Sequence, residues 1–152
     1  HLGITEAGTL QSASIKSAMG IGALLLDGIG DTLRVSVTGD PVSEVSVAKD
    51  ILRFAGLRKF GPEIISCPTC ARSKVDVEAL AAAVAKMVEG YTRPIKIAVM
   101  GCAVNGPGEA RDADIGIAGG EGEGVIFLKG KLVKKCTEQT LLAEFERMLE
   151  TL

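Results

Sequence analysis

Cys67 and Cys70 stand three positions apart, and Cys102 follows after a segment long enough for one helix and one strand. That spacing constrains the fold more than any other feature of the chain. Glu63 to Ser66 reads as a short strand running into Cys67. Ser73 or Asp76 then caps an alanine-rich helix that ends near Gly90, with Leu80, Val84, Met87 and Val88 on its buried side. Ile95 to Val99 is the next strand, and it delivers Cys102 just past its end. Strand, helix and strand make a βαβ unit, parallel and right-handed. Both cysteine groups then lie beyond the carboxyl ends of neighbouring parallel strands, where open α/β sheets place their sites.

The chemistry open to these thiols is limited. Cys-x-x-Cys alone fits zinc, an iron–sulfur cluster or thiol–disulfide exchange. A thioredoxin-like exchanger has no use for Cys102. A structural zinc domain wants four nitrogen or sulfur ligands, yet the single His is His1 and Cys136 lies in a distant hairpin. Three thiolates and one different ligand suit a cubane that keeps one iron distinct. Cys102 leads into Gly-Pro-rich sequence ending at Glu109, which is either that odd ligand or a solvated loop carboxylate. Carboxylate is harder and more exchangeable than thiolate. Cys136 reads as filler of a small apolar site.

The flanking segments complete an α/β pattern. Residues 1–11 read as a strand end and a loop. Ser12 is the expected N-cap of a helix over 13–27 with Ile15, Ala18, Met19, Gly22 and Leu26 on its apolar face. Asp31 to Val37 alternates as a strand, turning Leu33, Val35 and Val37 one way and Arg34 and Ser36 the other. Asp40-Pro41 opens a helix whose apolar face is Val45, Ala48, Ile51, Leu52 and Ala55. These residues read as the end of a β/α series, so 1–57 is taken as one domain and 58–152 as a second. The second continues with strands over 114–118, 124–128 and 131–135, then a final helix burying Leu141, Leu142, Phe145, Met148 and Leu149. Aromatics are 3% of the chain, so Ala, Val, Ile and Leu must build the core.

Net charge is −2, which offers no bulk attraction to nucleic acid or anionic membranes. No apolar run approaches the ~18–20 residues of a membrane span, and no signal-peptide layout is present. A cytoplasmic protein is expected, and a start at His1 within a loop suggests a piece of a longer one.

Cys-Pro-Thr-Cys at 67–70 and Gly-Cys-Ala-Val-Asn-Gly-Pro-Gly-Glu at 101–109 resemble the C-terminal domain of the hydroxymethylbutenyl diphosphate synthase family. His-Leu-Gly-Ile-Thr-Glu-Ala-Gly at 1–8 and Gly-Asp-Thr-Leu-Arg-Val-Ser at 30–36 are also similar to that family. The resemblance implies the last strand–helix units of a TIM-type β/α barrel, followed by an α/β domain with a mixed sheet and a [4Fe–4S] cluster. It implies an iron–sulfur oxidoreductase that opens 2-C-methyl-D-erythritol 2,4-cyclodiphosphate in isoprenoid biosynthesis, with ferredoxin or flavodoxin as electron donor and a homodimer as the assembly. Carried over, Cys67, Cys70, Cys102 and Glu109 are cluster ligands. Glu6 handles substrate protons, and His1, Thr5, Arg34, Ser36 and Asn105 lie near the substrate. Most of the barrel is absent, so this piece is expected to be inactive alone. An electron-transfer iron–sulfur module and a structural zinc domain are the competing readings.

Overall fold

A computed structural model describes residues 1–102, 108 and 110–152. The chain forms two compact units, His1–Phe60 and Gly61–Leu152.

In the first unit, β1 (Leu2–Gly3) pairs in parallel with β2 (Leu33–Arg34), and the helices are α1 (Leu10–Leu26) and α2 (Pro41–Phe54). The expected strand over 31–37 shortens to two residues because its neighbour supplies only Leu2 and Gly3 as ladder partners. The alternation nonetheless holds. Val35 is buried with Ile21, Leu25, Val47 and Ile51, and Leu33 and Val37 pack against that cluster. Asp40 caps α2 through its side chain, accepting from the Val42 N–H, with Pro41 in the first turn.

Three expectations about the helices of this unit are corrected. The N-cap of α1 is Thr9, which accepts from the Ser12 N–H, so the helix starts at Leu10 and Ser12 lies inside it. The buried face of α1 is Ala13, Ser17, Ile21, Gly22 and Leu25, whereas Ile15, Met19 (72% exposed) and Leu26 lie in solvent. Small and apolar residues surround this helix, so two stripes compete and periodicity alone picks the wrong one. In α2 the buried positions are Val47 and Ile51, while Val45 is exposed. An apolar groove of about 550 Å³ remains between the two helices, floored by Ala18, Met19, Ile51 and Phe54.

The second unit is a five-stranded mixed sheet in the order β3–β4–β5–β6–β7. Its strands are β3 (Pro62–Ser66), β4 (Ile95–Met100), β5 (Ile115–Gly119), β6 (Glu123–Leu128) and β7 (Lys131–Thr137). The helices are α3 (Val77–Met87) and α4 (Glu138–Glu150). β3, β4 and β5 run parallel, and β6 and β7 return antiparallel. The two-residue turn at Lys129–Gly130 has positive φ at both positions, the geometry that matches the twist of a hairpin. Edge strand β7 carries lysines at 131, 134 and 135 and a register shift opposite Ile126–Phe127; charge and bulge both discourage pairing with another chain.

Alternation along β4 sorts the core into two faces. Ile95, Ile97 and Val99 join Val84 of α3 and Leu141, Phe145 and Leu149 of α4. Ala98 and Met100 lie on the other face with Ala110, Ala113, Ala118 and Phe127. Small residues on that second face make room for the Phe127 ring, which occupies the space a Cβ at Gly116 would need. Asp76, not Ser73, caps α3, its carboxylate accepting from the Ala79 N–H at 2.9 Å. No helix among the described residues is long and apolar enough to cross a membrane.

Phe145 is fully buried, whereas Leu132 is half-exposed on the edge strand. Phe145→Ala is therefore expected to cost about 3–5 kcal/mol of stability, and Leu132→Ala no more than about 0.5 kcal/mol, as read by denaturant titration of each variant.

Candidate functional site

The site in the second unit begins with the β3–β4 ladder. Its register pairs Ser66 with Val99, and the Cys67 N–H continues it by donating to the Val99 carbonyl at 3.2 Å. The Cys67 side chain thus comes level with the end of β4. There the Gly101 N–H donates to Cys67 Sγ at 3.2 Å. Cys102 is the next residue, so two of the expected ligand positions flank one backbone amide.

The chain after Cys70 is folded back onto this point. The Ser73 N–H donates to the Cys70 carbonyl, and the Lys74 N–H donates to the Gly101 carbonyl at 3.1 Å. Ser73 Oγ donates to the Val75 carbonyl. Side chains of residues 73–77 lie against two glycines: Ser73 and Val77 against Gly101, and Val75 against Gly119 at the end of β5. The loop therefore spans the carboxyl ends of β4 and β5.

All four thiols are free. Cys70 is exposed, and its thiol is held below its ordinary pKa chiefly by the Arg72 backbone N–H, and further by the Arg72 side chain. Cys136 differs in character. Burial, reinforced by the nearby Glu144 carboxylate, pushes its thiol pKa up, and its Sγ faces the Gly124 carbonyl. Among the described residues, no three Cys, His, Asp or Glu side chains converge closely enough to hold one metal ion. Asn105 and Glu109 lie outside the described residues. Soft thiolate donors and an amide already aimed at one sulfur are the chemistry an iron–sulfur cluster takes, so the residues that are described fit that group.

The first unit gathers a second set. Leu2, Ile4, Leu33, Val35 and Val37 face its core, which leaves His1, Gly3, Thr5, Thr32, Arg34 and Ser36 on the opposite side of the two strands. His1 Nδ1 is 2.7 Å from Thr32 Oγ1. An Arg34 guanidinium nitrogen donates to Thr5 Oγ1 at 3.5 Å. The guanidinium crosses directly over Gly3, where a Cβ would stand 3.5 Å from Nε and Nη2. Glu6 pairs with Lys16 of α1 at 2.8 Å, and this bond, with the attraction between the charges, holds the Glu6 carboxyl below its ordinary pKa.

Sequence reasoning missed Gly101, Arg72, Thr32 and Lys16. Lys16 follows Glu6 by 10 residues, and only the fold brings the two together. Gly101 was visible beside Cys102, but its crowding by residues 73 and 77 is not a property of local sequence.

A parallel β/α pair in one unit and a mixed sheet with thiols at its parallel strand ends in the other define the class: an α/β protein that joins strand–helix units to a thiol-bearing sheet domain. A family model described as the GcpE protein C-terminal domain matches residues 63–151, and another described as the GcpE TIM-barrel domain matches residues 1–49. The chain belongs to the GcpE family. It is 62% identical over 150 residues to a Caldanaerobacter subterraneus subsp. tengcongensis protein named 4-hydroxy-3-methylbut-2-en-1-yl diphosphate synthase (flavodoxin), covering 99% of this chain and 42% of that one. A Clostridium acetobutylicum protein of the same name is 57% identical over 152 residues, covering 100% and 44%. One from Nitratidesulfovibrio vulgaris is 58% identical, covering 99% and 39%. The chain thus spans about two fifths of the length of these relatives.

Two measurements check this geometry. In the cluster-free chain, Cys70 is expected to be alkylated fastest and Cys136 slowest. The pH at which Cys70 becomes reactive should lie below that of Cys136, because a lowered pKa releases thiolate earlier as pH rises. Lys16→Met should move the Glu6 carboxyl titration upward, followed by NMR of the side chain; an unmoved titration would mean that the ion pair does not form in solution.

Proposed function

We propose that residues 58–152 form the [4Fe–4S] domain, and residues 1–57 the last barrel units, of a flavodoxin-dependent synthase. The enzyme would convert 2-C-methyl-D-erythritol 2,4-cyclodiphosphate to 4-hydroxy-3-methylbut-2-enyl diphosphate in isoprenoid biosynthesis. The observation that supports this reading is the Gly101 N–H directed at Cys67 Sγ, one residue before Cys102 in a family motif. Cys67, Cys70, Cys102 and Glu109 would hold the cluster. When bound, it supplies electrons one at a time, received from flavodoxin or ferredoxin, for a two-electron reduction.

The chain's own residues prepare the substrate for that reduction. Arg34 presents a fork of N–H donors suited to a diphosphate, with the Thr5 hydroxyl already at its tip. Ser36 lies two residues along the same face and adds a hydroxyl donor, and His1 occupies the other end of that face. Asn105 would contact the substrate from the cluster domain. Glu6 handles its protons. Paired with Lys16, it is ionised near neutral pH, so it would take a proton from solvent before passing it to the leaving oxygen. The remaining barrel strands, carried by the longer relatives, would complete the substrate site in a cytoplasmic homodimer.

Anaerobic reconstitution with iron and sulfide tests the reading. Brown protein with a reduced-state paramagnetic signal that changes on adding the cyclodiphosphate is expected. Colourless protein holding only zinc would sink the cluster assignment. Glu109→Ala, in the chain completed by its barrel, should alter that signal and lower turnover by at least about tenfold, the scale on which losses around a metal site act. An unaltered signal and turnover would remove Glu109 from the ligand set.

A further inference from the structure

Gly101 makes three contacts that meet nowhere else among the described residues. Its N–H donates to Cys67 Sγ. Its carbonyl accepts from the Lys74 N–H. Its Cα lies so close to the loop after Cys70 that an added Cβ would stand 2.5 Å from Ser73 Oγ and 2.7 Å from Val77 Cγ2. Separations that short are not tolerated without movement, and neither neighbour is a flexible chain end. Val77 is buried in the first turn of α3, and Ser73 Oγ is engaged with the Val75 carbonyl. The residue directly follows β4 and directly precedes Cys102.

We propose that Gly101 is the positioning residue of the cysteine clamp: the absence of its side chain lets the Cys70 loop close on the end of β4, and its amide fixes the Cys67 thiol beside Cys102. The inference deepens the cluster reading and rests on it for the identity of the bound group. The placement of the thiol does not depend on that group. Any side chain at 101 pushes residues 73–77 outward, breaks the Lys74 bond and turns the amide away from sulfur. Removal of an amide–sulfur hydrogen bond also leaves more negative charge on that thiolate, which disfavours the reduced, more negative cluster.

An added Cβ would also stand 3.1 Å from Ser73 Cβ, so three forms of the chain decide the matter: Gly101→Ala, the relieving background Ser73→Gly/Val77→Ala, and the combination of all three changes. In the cluster-free state, Gly101→Ala should speed alkylation of Cys67 relative to Cys136, and the combination should bring that ratio back to the value of the relieving background. In the reconstituted state, Gly101→Ala should weaken cluster retention against a chelator by about tenfold or more and make the midpoint potential more negative, and the combination should reverse both. Should Gly101→Ala fail to fold, comparison of the combination with its background still reads the amide's placement, because alanine keeps the N–H. Unchanged Cys67 alkylation in Gly101→Ala, or a combined variant that recovers neither ratio nor retention, would overturn the proposal. If the unmodified chain takes up no iron–sulfur cluster, the cluster reading falls, while the alkylation ratios still decide the role of Gly101.

Discussion

Parallel pairing of β3 with β4 is the constraint on which the second unit depends. Parallel strands cannot be joined by a tight turn, so a helix must cross over between them, and α3 does so. The register then determines everything at the carboxyl edge. With Ser66 opposite Val99, Cys67 falls beside Gly101 and its sulfur meets an amide. A slip of one residue would turn every β3 side chain to the other face of the sheet, exchanging Cys67 with Ser66 and placing a hydroxyl where the thiol now stands. Burial of Ile97 and Val99 on one face and of Ala98 and Met100 on the other makes such a slip costly, so the core holds the thiol in place.

The two faces of the sheet divide the work. One is sealed by branched residues from α3 and α4, and it supplies most of the apolar burial that resists unfolding. The other is built from alanines and one ring, with Ala110 and Ala113 lying close against it. Small residues there allow backbone to approach the sheet near the cysteines at little steric cost. Glycine extends that logic to the strand ends, where Gly101 and Gly119 admit the side chains of residues 73–77. Close approach of backbone, not side-chain chemistry alone, brings the thiol loop down to the sheet.

Legibility from sequence followed burial. Strands β3 to β6 were readable because both faces or strict alternation left little choice, and α4 because its apolar stripe is narrow and its opposite face charged. Helix α1 was not, since Ile15, Ala18, Met19 and Leu26 form a second apolar stripe beside the buried one, and only the position of β1 and β2 selects between them. The cysteine pattern located the candidate site, but the contacts that shape it join positions 34 residues apart, as Gly101 and Cys67 do. The same holds for Glu6 with Lys16 and for His1 with Thr32: residue type marks the chemistry, while pairing is a product of the fold.

The two units place their polar groups differently. In the first, the parallel strands bury one face and turn polar side chains to the other; in the second, both faces are buried and the thiols lie at the carboxyl ends of the strands, where parallel sheets carry their sites. A Cβ at Gly3 would make only ordinary contact with the Arg34 guanidinium that reaches Thr5, whereas one at Gly101 would collide with Ser73 and Val77. At Gly101 the missing side chain leaves the space in which the loop lies against backbone. Glycine substitution at 101, rather than a change to the sulfur-bearing residues, is therefore the sharper probe of how the loop after Cys70 is held against the sheet.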